Sequence, residues 1–261
     1  MTANENPTVT IAPDVELPLV GIGTWQARGS EAYDAVRAAL ELGYRHIDTA
    51  TMYGNEREVG RALRDSGVAR EQVFITTKLP SGDAGRERET IAASLEALGV
   101  DRLDLWLIHW PPNGRAAPKT WKRFVEARDQ GLTRAIGVSN YDSGQIDELV
   151  EATGVTPAVN QIKWSPALYD PGVVRELHDR GVTLEGYSPF LSTNVNDPVL
   201  REIAEHHRVT TRQVIVRWHI EHGFVVIPKS SDPARIAANF DVFGFALHAA
   251  EIERIDALGG G

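Results

Sequence analysis

The alternation of apolar runs and helical patterns predicts a closed (β/α)8 barrel, and three observations carry that expectation. The chain has 261 residues, close to the roughly 250 usual for such a barrel. Eight short apolar runs alternate with helical segments, as in a parallel sheet covered by helices. A doubly wound sheet, the structural competitor, would carry a dinucleotide fingerprint. Gly21-Ile-Gly23 begins one, but Gln26 stands where the third glycine belongs and no helix opens there.

A short hairpin is expected first, at Thr8–Ile11 and Val15–Leu17. The barrel strands then fall at Leu19–Ile22, Ile47–Ala50, Phe74–Leu79, Leu103–His109, Ala135–Ser139, Ala158–Ile162, Thr183–Tyr187 and Phe224–Pro228. Helices fill the gaps. Ser30 is placed to cap one whose Val36, Ala39 and Leu40 share a face. Asn55 followed by Glu58 reads as a capping box ahead of Val59, Ala62 and Leu63. Further helices fit Arg86–Leu98, Trp121–Asp129, Ser143–Ala152, Gly172–Arg180, Pro198–His207 and Arg212–Glu221. Gly99, Gly131, Gly181 and Gly223 mark C-terminal caps. Asp232-Pro233 opens a short helix and Ala249–Leu258 forms the last. No composition shift marks a boundary, so residues 1–261 read as one domain.

Bulk chemistry narrows the function. A net charge of −9 argues against nucleic-acid and anionic-membrane partners, and an anionic ligand would need local cations. No apolar run reaches the about 18 residues of a membrane helix. The chain has no cysteine, which excludes disulfides and thiolate metal sites. MTANENPTVT lacks the pattern of a secretory leader, so a cytoplasmic protein is expected.

In a barrel the C-terminal strand ends build the site. Those ends carry Trp25, Asp48, Tyr53, Lys78, His109-Trp110, Ser139-Asn140, Asn160-Gln161, Tyr187-Ser188 and Lys229-Ser230. Singly, each has a structural reading: Asp48 an ion pair or turn, Tyr53 a surface aromatic, Lys78 a solvated charge, His109 a core histidine. Together an acid, a phenol, an amine and an imidazole on one rim can run proton chemistry. A phenol titrates near 10 in water, too high for an efficient acid at neutral pH. An adjacent ammonium lowers that value, and a carboxylate can hold the ammonium; Lys78 and Asp48 would serve Tyr53 in this way.

The segments GYRHIDTATMYGNE, FITTKLP, LWLIHWP, IGVSN, VNQIKWSP, EGYSP and VVIPKSSDPARIAANF, spread over residues 19–240, resemble the successive signatures of the aldo-keto reductase superfamily. The wording is most similar to the prokaryotic 2,5-diketo-D-gluconate reductase-like branch. The resemblance implies a (β/α)8 barrel with an N-terminal hairpin and an extra C-terminal helix. It also implies a catalytic tetrad of Asp48, Tyr53, Lys78 and His109, and reduction of aldehydes, ketones or α-keto compounds.

Strand eight makes a separate physical case. Lys229 and Ser230 precede Asp232-Pro233, and Arg235 falls in the first turn, so cations, a hydroxyl and helix amides suggest an anion site. A phosphorylated sugar would also suit it. The resemblance implies instead the 2′-phosphate of NADPH. It further implies Tyr187 stacked on the nicotinamide, Ser139, Asn140 and Gln161 on its carboxamide, Ser188 beside them, and Asn239 on the adenine. Ala238 stands where relatives often carry Glu, so a slightly weaker adenine contact is expected. Trp25 and Trp110 would wall the substrate pocket, while Trp106, one register step from the His109 face, should pack against helices.

The loops Trp110–Thr120 and Pro189–Asp197 are short, and the chain stops at Gly259-Gly260-Gly261. An open pocket with broad carbonyl recognition is therefore expected, in a monomer whose partner is a small carbonyl compound. Three other readings compete: a redox-sensing binding module, a Schiff-base aldolase on Lys78 or Lys229, and a metal hydrolase. The last is weakest. His206, His207, His219 and His222 fall on outer helices with no HxH or HExxH pair, so no metal site is expected.

Overall fold

The computed structural model describes residues 6–259; the reading of the first five residues and the tail residues Gly260 and Gly261 fall outside them. The hairpin β1 (Thr8–Ala12) and β2 (Val15–Pro18) comes first, with Asp14 at its turn in the left-handed region at φ 59°. The Asp14 carbonyl accepts a hydrogen bond from Arg134. Since Arg134 lies at the start of a barrel strand, the hairpin sits at the N-terminal end of the barrel.

Eight parallel strands follow: β3 (Ile22–Gly23), β4 (His46–Asp48), β5 (Phe74–Leu79), β6 (Leu103–Ile108), β7 (Thr133–Ser139), β8 (Val159–Lys163), β9 (Thr183–Tyr187) and β10 (Val225–Ile227). Each pairs with the next, and the bridges Val20↔Val226 and Gly23↔Lys229 join the last strand to the first. The strands match the predicted runs to within one or two residues, apart from the first, which starts at Ile22, three residues later than predicted. All six residues of β5 and of β6 are buried, as a strand covered on both faces requires.

Among the described residues ten helices surround the barrel: α1 (Ser30–Glu41), α2 (Glu56–Ser66), α3 (Glu87–Leu98), α4 (Pro118–Asp129), α5 (Ser143–Thr153), α6 (Pro171–Asp179), α7 (Pro198–His207), α8 (Thr211–Glu221), α9 (Pro233–Phe240) and α10 (Ala249–Asp256). Trp106 points outward from β6 and stacks on Phe124 of α4 at 3.7 Å between ring centroids, as the alternation requires. Gly99, Gly131, Gly181 and Gly223 follow helices with φ between 68° and 77°.

Two helix starts differ from expectation. Gly29, not Ser30, is the N-cap of α1, and Ser30 is already helical. Asn55 does occupy the N-cap of α2, but its side chain makes no capping bond. It is buried, accepts from the Thr49 hydroxyl, and donates to the carbonyls of Thr24 and Ala27. Three inward partners outcompete one helix amide.

The GxG at Gly21 and Gly23 also gains a reason. A Cβ on Gly21 would lie 2.5 Å from the His46 ring, so the glycine lets the first strand close against the barrel interior.

Candidate active site

Side chains from the C-terminal strand ends line a cleft of about 380 Å³. Its upper walls are Trp25, Met52, Trp110 and Leu191, exposed by 49%, 61%, 48% and 70%. Four large apolar side chains gathered at one cleft form a patch rather than the scattered exposure of an ordinary surface. Trp25 and Trp110 are the two predicted wall residues. Met52 and Leu191 stand at loop positions that carry no periodic signal in the sequence.

At the floor the predicted tetrad comes together. Lys78 on β5 is fully buried, and its ammonium donates to both Asp48 carboxylate oxygens at 2.6 and 2.7 Å and to the Thr49 carbonyl at 2.8 Å. All three ammonium protons therefore have acceptors. Asp48, at the end of β4, also accepts from Gln161 Nε2 at 2.8 Å. Tyr53 stands on the 3₁₀ turn Thr51–Tyr53, which the Thr51 hydroxyl ties to the Lys78 carbonyl. The Tyr53 ring centroid lies 5.4 Å from Lys78 Nζ and 5.6 Å from the His109 ring, which it meets edge-on.

Burial decides the electrostatics. Desolvation raises the Tyr53 pKa, and the opposing pull of Lys78 does not overcome it. The expected lowering is thus not reached, and Tyr53 is a protonated donor throughout the neutral range. Burial also disfavours the Lys78 ammonium, but the attraction of Asp48 and Tyr53 prevails and holds it above its ordinary value. Burial and then the Lys78 charge push His109 down to about 3, so its imidazole is neutral.

Glu185 was not singled out. It lies on β9, fully buried, with both carboxylate oxygens lacking hydrogen-bond partners and Oε1 3.7 Å from His46 Nε2. Burial, then the Asp48 charge, pushes it up to about 8. Its position two residues before Tyr187, on the same strand face, was the available signal.

The predicted nicotinamide-side residues form a connected rim. Ser139 donates to the Gln161 carbonyl at 2.7 Å, Asn140 Nδ2 to Ser139 Oγ at 2.9 Å, and the Tyr187 hydroxyl to Asn140 Oδ1 at 2.9 Å. Asn140 and Ser188 hold left-handed backbone at φ 63° and 55°, a conformation that non-glycine residues keep where the surroundings enforce it. Gln161 is engaged with Asp48, so it bridges the two groups.

The strand-eight region is looser. Lys229 lines the cleft but pairs with Glu31 at 3.4 Å, a carboxylate the sequence reading did not place there. Asp232 Oδ1 accepts from the amides of Ala234 and Arg235. The helix amides expected to meet an anion are therefore capped by the chain itself. Ser230 Oγ accepts from the Asp232 amide, and the Arg235 side chain is 70% exposed. Asn239 is buried on α9, four residues beyond Arg235. Ser230, Arg235 and Asn239 do not line the cleft.

Fold and floor together define a parallel (β/α)8 barrel with a buried lysine-carboxylate pair, a phenol and an imidazole at its C-terminal mouth. A match to the aldo/keto reductase family spans residues 19–259, and the chain belongs to that family. An aldo-keto reductase of Mycolicibacterium smegmatis is 46% identical over 258 residues, covering 97% of this chain and 94% of the relative. The 2,5-diketo-D-gluconic acid reductase B of a Corynebacterium species is 42% identical over 258 residues, covering 97% and 93%. Among solved structures, a Bombyx mori aldo-keto reductase in complex with NADP superimposes with a TM-score of 0.90 at 33% identity, over 97% and 93% of the two chains. Among the described residues no helix is long and apolar enough to cross a membrane.

Proposed function

We propose that this protein reduces aldehydes, ketones and α-keto or diketo compounds to alcohols with NADPH, with Tyr53 as the general acid. The observation that carries the reading is the Asp48–Lys78 pair, buried and bidentate, beneath a phenol and a neutral imidazole that face one cleft. NADPH, when bound, supplies hydride to the carbonyl carbon. Tyr53 donates the proton that the developing alkoxide needs. Lys78 stabilises the phenolate left behind, and Asp48 fixes the ammonium in place while offsetting part of its field. His109, uncharged, donates one hydrogen bond to the carbonyl oxygen and orients it.

The donor set fits a dinucleotide. Ser139, Asn140 and Gln161 offer amide-matching groups beside the Tyr187 ring, while Lys229, Ser230 and Arg235 offer a hydroxyl and two cations for a phosphate, with Asn239 one turn beyond. Glu31 would exchange its partner when the phosphate arrives. Trp25, Trp110, Met52 and Leu191 would hold the substrate's apolar part. The diketo-acid relative fits an open cleft of this kind. A Schiff-base role for Lys78 is disfavoured, because a lysine held as an ammonium is no nucleophile.

The test is NADPH oxidation with a carbonyl panel for the parent chain and Tyr53→Phe. Loss of turnover with cofactor-induced tryptophan quenching intact is expected. Full turnover in the variant would sink the acid assignment.

A further inference from the structure

His206 and His207 are the last two residues of α7, and Glu251 stands in the first turn of α10, all on the outside of the barrel. None takes part in carbonyl reduction. Adjacent helix positions point about 100° apart, and these two rings converge on one carboxylate through different nitrogens. His206 Nδ1 lies 2.9 Å from Glu251 Oε1, and His207 Nε2 lies 3.0 and 2.9 Å from Oε1 and Oε2. The three donor atoms fall within 4.8 Å of one another.

Glu251 is fixed for this arrangement, because its Oε2 also accepts the His248 amide at 2.8 Å. Burial opposes the carboxylate, but that amide and the two histidines hold it down at about 2, so it is an anion at neutral pH. The Arg254–Glu202 pair at 2.6 Å spans the same two helices. Access is asymmetric: the His206 side chain is 61% exposed, while those of His207 and Glu251 are 11% exposed. The His248 ring stands 6.0 and 5.9 Å from the other two imidazoles.

We propose that His206, His207 and Glu251 bind one divalent transition-metal ion, zinc or a neighbour in the series, and that the ion ties α10 to α7. Two imidazoles and one carboxylate form a ligand set these ions accept, with further positions open to water or to His248. On binding, each imidazole proton now donated to Glu251 moves to the other ring nitrogen, and the freed lone pairs and the carboxylate take the metal. No HxH or HExxH pair marks it in the sequence. Glu251 is supplied from another helix, 44 residues beyond His207.

The experiment uses the full chain, stripped with chelator and titrated with zinc chloride and cobalt chloride by calorimetry and visible absorption, with melting curves alongside. One equivalent is expected to bind, with a cobalt d–d band and a higher Tm. His206→Gln and His207→Gln should each weaken binding by about tenfold or more, with carbonyl reduction unchanged. The exposed His206 makes His206→Gln the variant that keeps the fold. The proposal is overturned by the absence of saturable one-equivalent binding, or by equally tight binding in the His206→Gln/His207→Gln double variant, which would assign the metal to other histidines.

Discussion

Two buried carboxylates, one at each end of the barrel, make opposite use of cations. Asp104, near the start of β6, accepts from Arg70 at 2.7 Å, from Arg134 at 3.1 Å and from the Ile75 amide at 2.9 Å. Two guanidinium groups and one backbone amide hold it. Asp48, at the end of β4, faces one lysine and one amide, with a phenol and an imidazole directly beyond. A permanently charged planar fork suits a clamp, while a compact ammonium leaves a field that a neighbour can feel. The N-terminal end holds strands together, and the C-terminal end is the one that the proposed mechanism uses to move a proton.

Changing the chemistry should separate the two ends most sharply. Tyr53→Phe is expected to lower kcat/KM for carbonyl reduction by about 10²–10⁴-fold, the range of a lost general acid, with the unfolding midpoint unchanged. A steady-state comparison with a denaturation curve checks both halves. Lys78→Met strands the Asp48 charge in the interior and should cost about 3–5 kcal/mol of stability, read from urea unfolding, together with the activity. Asp104→Asn is the counterpart: a loss of about 1–3 kcal/mol with kcat/KM intact. A matching loss of turnover would erase the division of labour between the ends.

Acid should strain the barrel interior and the cleft that His109 lines. His46, His109 and His219 are pushed down to about 3, 3 and 4 by burial, against about 6.5 when unfolded. Between those values the unfolded chain binds more protons, so stability is full above about pH 6.5 and falls as pH drops toward 4. Each histidine should contribute about 1 kcal/mol per pH unit in that window. Glu185 acts with the opposite sign: its raised value means stability lost as pH rises from about 4.5 to about 8. Unfolding curves at several pH values, with and without Glu185→Gln, separate the two slopes. The smallest effect belongs to the loose strand-eight region. Arg235→Ala should weaken NADPH by about tenfold, the scale of one hydrogen bond to a charged group, and leave NADH unaffected. Equal weakening of both would remove the phosphate role.

Much of this was legible in the chain. The strand runs, most helices, the inward side of β6 and the rim residues Asp48, Tyr53, Lys78 and His109 follow from periodicity and from where strands end, because strand alternation and barrel topology leave those residues few places to go. The outward direction of Trp106 follows from the same alternation, while Phe124 as its partner comes from the structure. Helix starts were less legible: Asn55 has the side chain of a cap, and only the presence of Thr49, Thr24 and Ala27 around it diverts that side chain inward.

What the sequence by itself determined was the barrel, its order of elements and the types of group at its mouth, since these rest on local pattern and strand polarity. The tertiary structure alone decided the protonation states and the pairings, because desolvation and distance belong to the assembled interior. Hence Tyr53 is raised rather than lowered, Lys229 meets Glu31, Asp232 takes the amides of α9, and two adjacent histidines find a carboxylate from another helix.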